Sequence, residues 1–414
     1  MTQRPSPDRP ARDDLSLDAL VEGLGRWHGR HRIGDAEGTP LSRAMRQRVA
    51  DETAALTGAM SGDEDRQRLA SLTRWLEESL ARLAPVLEAR EPCRLPRSWA
   101  VEHPDSRLVD EGRVVMANAI DRDLAGFGAA VVQDPAADLA SLLVGLEVRD
   151  ETRLARRALD AYLRLTGDYR AGRLLSVCRV LECLAGARRA LRRLEAMPGD
   201  AERPALLAET MAACRRYLEL AEQHAEFRFP PLVVGVGVAG SGKSRFTRNL
   251  VTRLGAVRLC SDAERRRLHE DNPQADGDDP AVDIFSETAT QRTYRRLAEC
   301  AGDLLDAGLP VCVDATCLRR EQRDRLRHQA ESRGLPVLLV SFEADEATLK
   351  RRIVKRADRQ GVPEADSLAV LARQTAAFEA FSDDERLHLV HLDTTAENAA
   401  ETLAGLIQEH LHWR

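Results

Sequence analysis

The sequence predicts a chain of two parts. Residues 15–227 read as mostly α-helical, and residues 228–414 as α/β, a parallel sheet covered by helices. Three observations predict this. Through the first half, apolar residues recur at spacings of three and four, the repeat of a helix with one buried face. After residue 230 the rhythm changes. Short apolar runs of strand length at 232–238, 256–260, 310–314, 336–342 and 388–392 alternate with helical segments. The first of these runs passes through Gly237, Gly240 and Gly242 into a helical segment at 245–254. Strand, glycine loop and helix in that order aim backbone N–H groups and a helix N-terminus at one point.

In chain order, residues 1–14 are rich in proline and charge and are expected to be a disordered tail with no apolar signal segment. Helical stripes follow at 69–83, 139–146, 154–165, 174–194 and 206–227, broken by one short strand or hairpin at 112–118. No run approaches the ~20 apolar residues of a membrane span, so no membrane partner is expected. A net charge of −6 gives no global basic field for bulk nucleic acid. The eight cysteines form no C-x-x-C pair and read as reduced, mostly buried thiols of a cytoplasmic protein.

The chemistry is concentrated in the second half. Gly237, Val238, Ala239, Gly240, Ser241, Gly242, Lys243 and Ser244 form a complete G-x-x-x-x-G-K-S phosphate-binding loop, with Arg245 opening the helix behind it. The chain has only three lysines, Lys243, Lys350 and Lys355, so a lysine in this loop stands out against a background of arginine. A compact ammonium reaches between two phosphates where a planar guanidinium is too wide. Such a loop predicts a nucleoside triphosphate, taken as ATP with the choice between ATP and GTP left open by the sequence, and the Ser244 hydroxyl predicts a Mg²⁺ contact. After the second strand comes Asp262, three residues before Arg265. A carboxylate at that strand end can take the proton of an acceptor hydroxyl, and Arg265 can hold a phosphate; the bland reading of Asp262 is an N-cap for a helix over 263–268. The third strand ends in Asp314, an apolar-run-then-Asp pattern that holds Mg²⁺. Arg319, Arg320 and Arg323 follow it and either line the acceptor site or are solvated. Arg352, Arg356 and Arg359 share a helical face. They suit a lid that closes over a triphosphate, with Arg356 the first choice; the alternative is an exposed basic helix.

On these motifs residues 231–414 resemble the small P-loop kinases of the polynucleotide 5′-kinase-like group, with zeta-toxin and gluconate-kinase relatives. The resemblance implies an α/β P-loop NTPase fold, with Asp262 as general base and Arg265 near the transferred phosphate. Acceptors differ widely within that group, so the acceptor hydroxyl stays open between a polynucleotide 5′ end and a small molecule. An ATPase switch, or a non-catalytic ATP sensor, needs the loop and Asp314 but not Asp262. Oligomeric state is not set by these motifs.

Residues 20–31, 75–90, His103-Pro104-Asp105 and Asp134–Asp138 resemble, in that order, the helical C-lobe of an aminoglycoside-phosphotransferase-like fold found upstream of P-loop domains in bacterial bifunctional proteins. The departures are large. The catalytic H-G-D-x-x-x-x-N is reduced to His103-Pro104-Asp105, the metal-binding Asp falls at about Asn118, no N-lobe counterpart precedes, and no lysine occurs before Lys243. The resemblance therefore implies a degenerate, pseudokinase-like domain serving as scaffold or recognition module.

Overall fold

The computed structural model describes residues 14–33, 38–60, 62–120, 132–195, 203–226, 228–270 and 286–411. Its contacts divide the chain into two compact units, Met1–Thr166 with Ala171–Glu226, and Gly167–Arg170 with Phe227–Arg414.

The first unit is mostly helical: α1 (Leu17–Arg30), α2 (Leu41–Ala59), α3 (Asp63–Arg82), α4 (Ala84–Ala89), α5 (Trp99–Glu102), α6 (Pro135–Glu147), α7 (Thr152–Thr166), α8 (Gly172–Glu195) and α9 (Arg203–Ala225). Local chemistry sets several starts. Ser16 Oγ accepts the Ala19 N–H at the head of α1, and Asp134 Oδ1 accepts the Ala136 N–H ahead of α6, where Pro135 occupies the first turn. Almost every residue of α6 is buried, so it forms the centre of the unit. Three short strands complete it: β1 (Asp14–Leu15), parallel to β2 (Arg107–Asp110), which pairs antiparallel with β3 (Arg113–Met116). Glu111 and Gly112 turn between β2 and β3 with φ of 49° and 78°. The sequence reading caught β3 but not its partners, because β1 has two residues and β2 carries charge at both ends. It also placed Asp14 in the tail; Asp14 instead joins β1 and pairs with Arg107 at 2.6 Å. Residues 1–13 of the expected tail lie outside the described residues.

Several buried polar groups of this unit are paired with one another. Asp138, fully buried, accepts Ser98 Oγ–H at 2.6 Å, Gln133 Nε2–H at 2.8 Å and the Trp99 N–H at 2.8 Å. His28 bridges Asp138 and the Tyr162 hydroxyl at 3.1 and 2.7 Å. Arg90–Asp134 and Arg188–Glu52 are buried pairs at 2.6 Å. Removing one partner of such a pair is costly, even where the pair as a whole stabilises little.

The second unit alternates strand and helix: β4 (Leu232–Val236), α10 (Lys243–Leu254), β5 (Val257–Cys260), α11 (Ser261–Glu270), α12 (Glu287–Asp306), β6 (Val311–Asp314), α13 (Arg320–Glu331), β7 (Val337–Glu343), α14 (Glu346–Gln360), α15 (Glu364–Ala376), α16 (Asp383–Arg386), β8 (Leu389–Asp393) and α17 (Ala399–Leu411). The five strands are parallel, in the order β5-β6-β4-β7-β8. Val233 of β4 lies opposite Cys312 of β6 and Leu338 of β7, and Cys260 of β5 lies opposite Asp314. Strands with helices on both faces are buried on both faces, which is why they read as unbroken apolar runs. On one face Val233, Cys312, Leu338 and Val340 pack with Phe246 and Leu250 of α10 and Leu403 and Ile407 of α17. The chain leaves β4 for β5 on one side and later returns to β7 on the other. The crevice at the carboxyl end of β4 is thus the topological switch point where such sheets take ligands.

All eight cysteines are free thiols, and six of them are buried. No helix among the described residues is long and apolar enough to cross a membrane.

Candidate active site

The loop between β4 and α10 is built on glycine for steric reasons. Gly237 has φ 149°, and a Cβ there would sit 2.8 Å from both Phe342 O and Ser241 Oγ. Gly240 has φ 80°, and a Cβ would lie 3.0 Å from Leu349 O and from Ile353 Cγ1. A side chain at either position would push the loop away from β7 or α14. Gly242 ends the loop at the head of α10 and caps it with no side-chain bond, so the N–H groups that open the helix face an anion site, although the Arg245 N–H already donates to Gly242 O at 2.9 Å.

Lys243 is buried. Its Nζ–H groups donate to Gly237 O at 2.6 Å, Val238 O at 2.9 Å and, more loosely, Ser241 Oγ at 3.4 Å. Burial pulls its pKa down to about 8, and the carboxylates of Asp314 and Asp262 resist that fall. The next side chain, Ser244, donates from Oγ to Asp314 Oδ1 at 3.1 Å. Strand β6 ends at Asp314 beside β4, and the two oxygen donors meet at the sheet edge. A hydroxyl and a carboxylate are hard ligands of the kind Mg²⁺ takes, so the residues present fit the ion. Asp314 is shared, however. Arg258 of β5, itself buried, reaches Asp314 Oδ2 at 3.4 Å. No motif marks Arg258. Only the pairing of β5 with β6 puts it there.

Asp262 is exposed in the first turn of α11. The helix begins at Ser261, one residue ahead of Asp262, so the N-cap reading over 263–268 does not describe it. Asp262 lies within electrostatic reach of the Lys243 ammonium. Arg265, one turn on, donates from Nη1 to Thr290 Oγ1 of α12 at 3.2 Å. The loop after β6 is tied to the phosphate loop, because the Gly237 N–H donates to Thr316 O at 3.0 Å. The next residue, Cys317, has φ 47°, a left-handed conformation that a cysteine adopts only when its surroundings impose it. Its N–H donates to the buried Tyr294 hydroxyl at 2.9 Å, and that hydroxyl lies 3.3 Å from Thr316 Oγ1.

The three α14 arginines do not behave alike. Arg352 donates from Nη1 to Gly240 O at 3.2 Å and Thr394 Oγ1 at 2.9 Å, and from Nη2 to Thr394 O at 3.1 Å. It hooks the loop to the turn after β8 and is not a free finger. Arg356 is exposed, and its charge acts on Lys243. Arg359 is exposed in the last turn. The α13 arginines also divide. Arg323 is neither an acceptor residue nor solvated. It is fully buried, paired with Glu385, and donates to Cys317 O, Leu318 O and Ala380 O at 3.3, 3.0 and 3.3 Å. Arg319 precedes α13 and pairs with Glu287 at 2.7 Å, and Arg320 reaches Asp324 and Asp384 at 3.3 Å each. Gln374 of α15 was not singled out from sequence. Its Oε1 accepts the Ala239 N–H of the loop at 2.7 Å, and nothing in its local pattern announces this.

Comparison with known proteins finds similarity over the segment that holds the loop. Residues 232–381, which hold the phosphate loop and strands β4 to β7, match the family described as AAA domain. An uncharacterized protein of Mycobacterium tuberculosis is 23% identical over 372 residues, covering 88% of this chain and 71% of its own. A shikimate kinase of Rhodopseudomonas palustris is 27% identical over 210 residues, 50% of this chain and 95% of that one. Among solved structures, a gluconokinase from Sinorhizobium meliloti 1021 aligns at 24% identity and a TM-score of 0.30, over 45% of this chain and 91% of its own.

Proposed function

We propose that the C-terminal unit is an ATP-dependent kinase that transfers the γ-phosphoryl group to a hydroxyl. One observation carries the reading. Lys243 and Ser244 after β4, Asp262 after β5 and Asp314 at the end of β6 come to the same edge of the sheet. The loop amides and Lys243 would hold the β- and γ-phosphates, with Lys243 exchanging its bonds to Gly237 O and Val238 O for phosphate oxygens. Ser244 and Asp314 would hold a magnesium ion, which neutralises charge on the phosphates when bound. In the transfer, the acceptor oxygen forms its bond to the γ-phosphorus as the bond to the β–γ bridging oxygen breaks. ADP leaves with that electron pair, and the hydroxyl proton passes to Asp262. Arg265 and Arg356 would supply positive charge as charge spreads over the transferred oxygens. The match to a shikimate kinase supports a hydroxyl as acceptor.

For the helical half we propose a pseudokinase-like scaffold, in line with its resemblance to a phosphotransferase C-lobe. Asp138 would serve such a scaffold by pinning Ser98 and Trp99 just ahead of His103, which stacks on Trp99 with ring centroids 4.3 Å apart.

The test uses γ-labelled ATP and calorimetry. Lys243→Ala should weaken ATP by at least tenfold, since charge-assisted bonds are worth about 1.5–3 kcal/mol. Asp262→Asn should keep ATP affinity and cut transfer by roughly 10²–10⁴-fold. Equal ATP affinity in Lys243→Ala sinks the loop assignment. Unchanged turnover in Asp262→Asn leaves hydrolysis or sensing as the function.

A further inference from the structure

Beside the phosphate edge, between the N-terminal turns of α12 and α13, lies a cleft of about 210 Å³. We propose that it seats the acceptor, and that the acceptor is a small, uncharged polyhydroxylated molecule, not a nucleic-acid 5′ end. The inference rests on the kinase reading above and narrows its acceptor.

Position comes first. Of two residues in the cleft wall, one is a hydrogen bond from the proposed machinery and the other a hydrogen bond from the loop that follows β6. Thr290 Oγ1 accepts from Arg265 at 3.2 Å, and the Tyr294 hydroxyl accepts from the Cys317 N–H at 2.9 Å. Thr316, next to Cys317, accepts the Gly237 N–H of the phosphate loop at 3.0 Å. An occupant touching Thr290 and Tyr294 is therefore beside both the arginine of the Asp262–Arg265 pair and the loop that follows Asp314.

Chemistry comes second. The cleft's charged groups cancel. Arg319 is paired with Glu287 at 2.7 Å, and Arg325 with Glu321 at 2.9 Å. A polynucleotide needs surplus cations along its phosphates, and a carboxylated or phosphorylated acceptor needs at least one. Among the described residues the lining itself offers none in surplus, and the neighbouring Arg265 is assigned above to the transferred phosphoryl oxygens. The lining offers instead the Gln291 amide, the Gln322 amide whose Oε1 also accepts the Arg319 N–H, the Thr290 hydroxyl and the Tyr294 ring. Amides and hydroxyls both donate and accept, which matches alcohol groups that do the same, and an aromatic ring gives a flat wall for C–H groups. The volume falls below the ~300–1,000 Å³ of drug-sized ligand pockets and suits an occupant of monosaccharide size. The transfer is the one written above: the acceptor's oxygen gains the γ-phosphoryl group, ADP leaves, and Asp262 receives the proton.

The experiment uses the full chain with labelled ATP and Mg²⁺. The acceptor panel holds neutral monosaccharides and linear polyols, their carboxylated counterparts, and 5′-hydroxyl oligonucleotides. Phosphate esters should form on neutral polyhydroxy compounds. For the best of them, Gln291→Ala should raise KM about tenfold or more while ATP Kd stays within twofold. Gln291→Trp, which fills the cleft from an exposed helix position, should abolish transfer while ATP still binds. Transfer only to oligonucleotides or to anionic acceptors overturns the proposal. So does a protein that binds ATP but phosphorylates no neutral polyol, or a KM indifferent to both variants. A wild-type chain that does not bind ATP takes down the kinase reading itself, and this inference with it.

Discussion

Arg323→Met is the sharpest test of what the α13 arginines do. In the folded chain Arg323 and Glu385 are both fully buried and ion-paired, and Arg323 also donates to three carbonyls. Its guanidinium stacks over Phe381, 4.9 Å from the ring centroid. Methionine keeps the hydrophobic stem but leaves Glu385 buried with only the Ser382 N–H and Oγ–H, at 2.9 and 3.0 Å. Breaking a buried pair from one side costs about 3–5 kcal/mol. With a urea slope near 2 kcal/mol per M, the midpoint should fall by roughly 2 M. Trp27, Trp75 and Trp99 belong to the first unit, so tryptophan fluorescence would blur the result. Hydrogen exchange of peptides covering residues 311–318, followed along a urea series, reads the second unit directly. The effect should depend on pH. Burial pushes the Glu385 carboxyl up, but the Arg323 hydrogen bond and the Ser382 N–H outweigh it and hold its pKa below the usual value. A depressed carboxyl contributes stability above its unfolded pKa, near 4.3, and loses it as pH falls through the folded one. The wild-type advantage over Arg323→Met should therefore hold at pH 7 and shrink below about pH 4. A midpoint shift under ~0.3 M, with a raised acceptor KM instead, would refute the strut and return Arg323 to the substrate.

Three further outcomes are expected. Arg356→Ala should lower kcat far more than it raises KM for ATP, while Arg352→Ala should chiefly weaken ATP binding because it frees Gly240 from Thr394; steady-state kinetics on both variants separates the roles, and identical behaviour contradicts the split. Gly240→Ala should weaken ATP at least tenfold in calorimetry, since a methyl at φ 80° meets Leu349 O and Ile353 and carries about 1–2 kcal/mol of backbone strain; unchanged affinity would show that the loop tolerates a side chain. Asp105→Ala should leave ATP turnover within about twofold, because Asp105 lies in the helical unit, between α5 and β2; a large loss would make that unit catalytic or gating.

Much of the candidate site was legible in the sequence because its parts are local. A phosphate loop is one contiguous segment whose glycines are dictated by φ and by close backbone approach, so the letters alone announce Gly237 to Ser244. Asp314 was readable because it ends an apolar run and Asp262 because it follows one by two residues, and parallel strands bring such ends to one edge. The helical and strand rhythms were legible for the same reason: burial on one face or on two leaves a period in the chain. The β1–β2 pairing left no such trace, since strands of two and four residues are too short to show one.

Only the tertiary structure decided which arginines are held by distant partners and which stand exposed. Arg323, Arg352 and Arg356 are the same residue on similarly basic helices, and no spacing rule separates them. Their roles depend on partners distant in sequence: Glu385 for Arg323, and Gly240 with Thr394 for Arg352. Arg258 beside Asp314, Gln374 on the Ala239 amide and Tyr294 under Cys317 arise in the same way, from strand order and helix packing. A guanidinium's function is set by whether its donors are already spent, and that is a property of the packed chain.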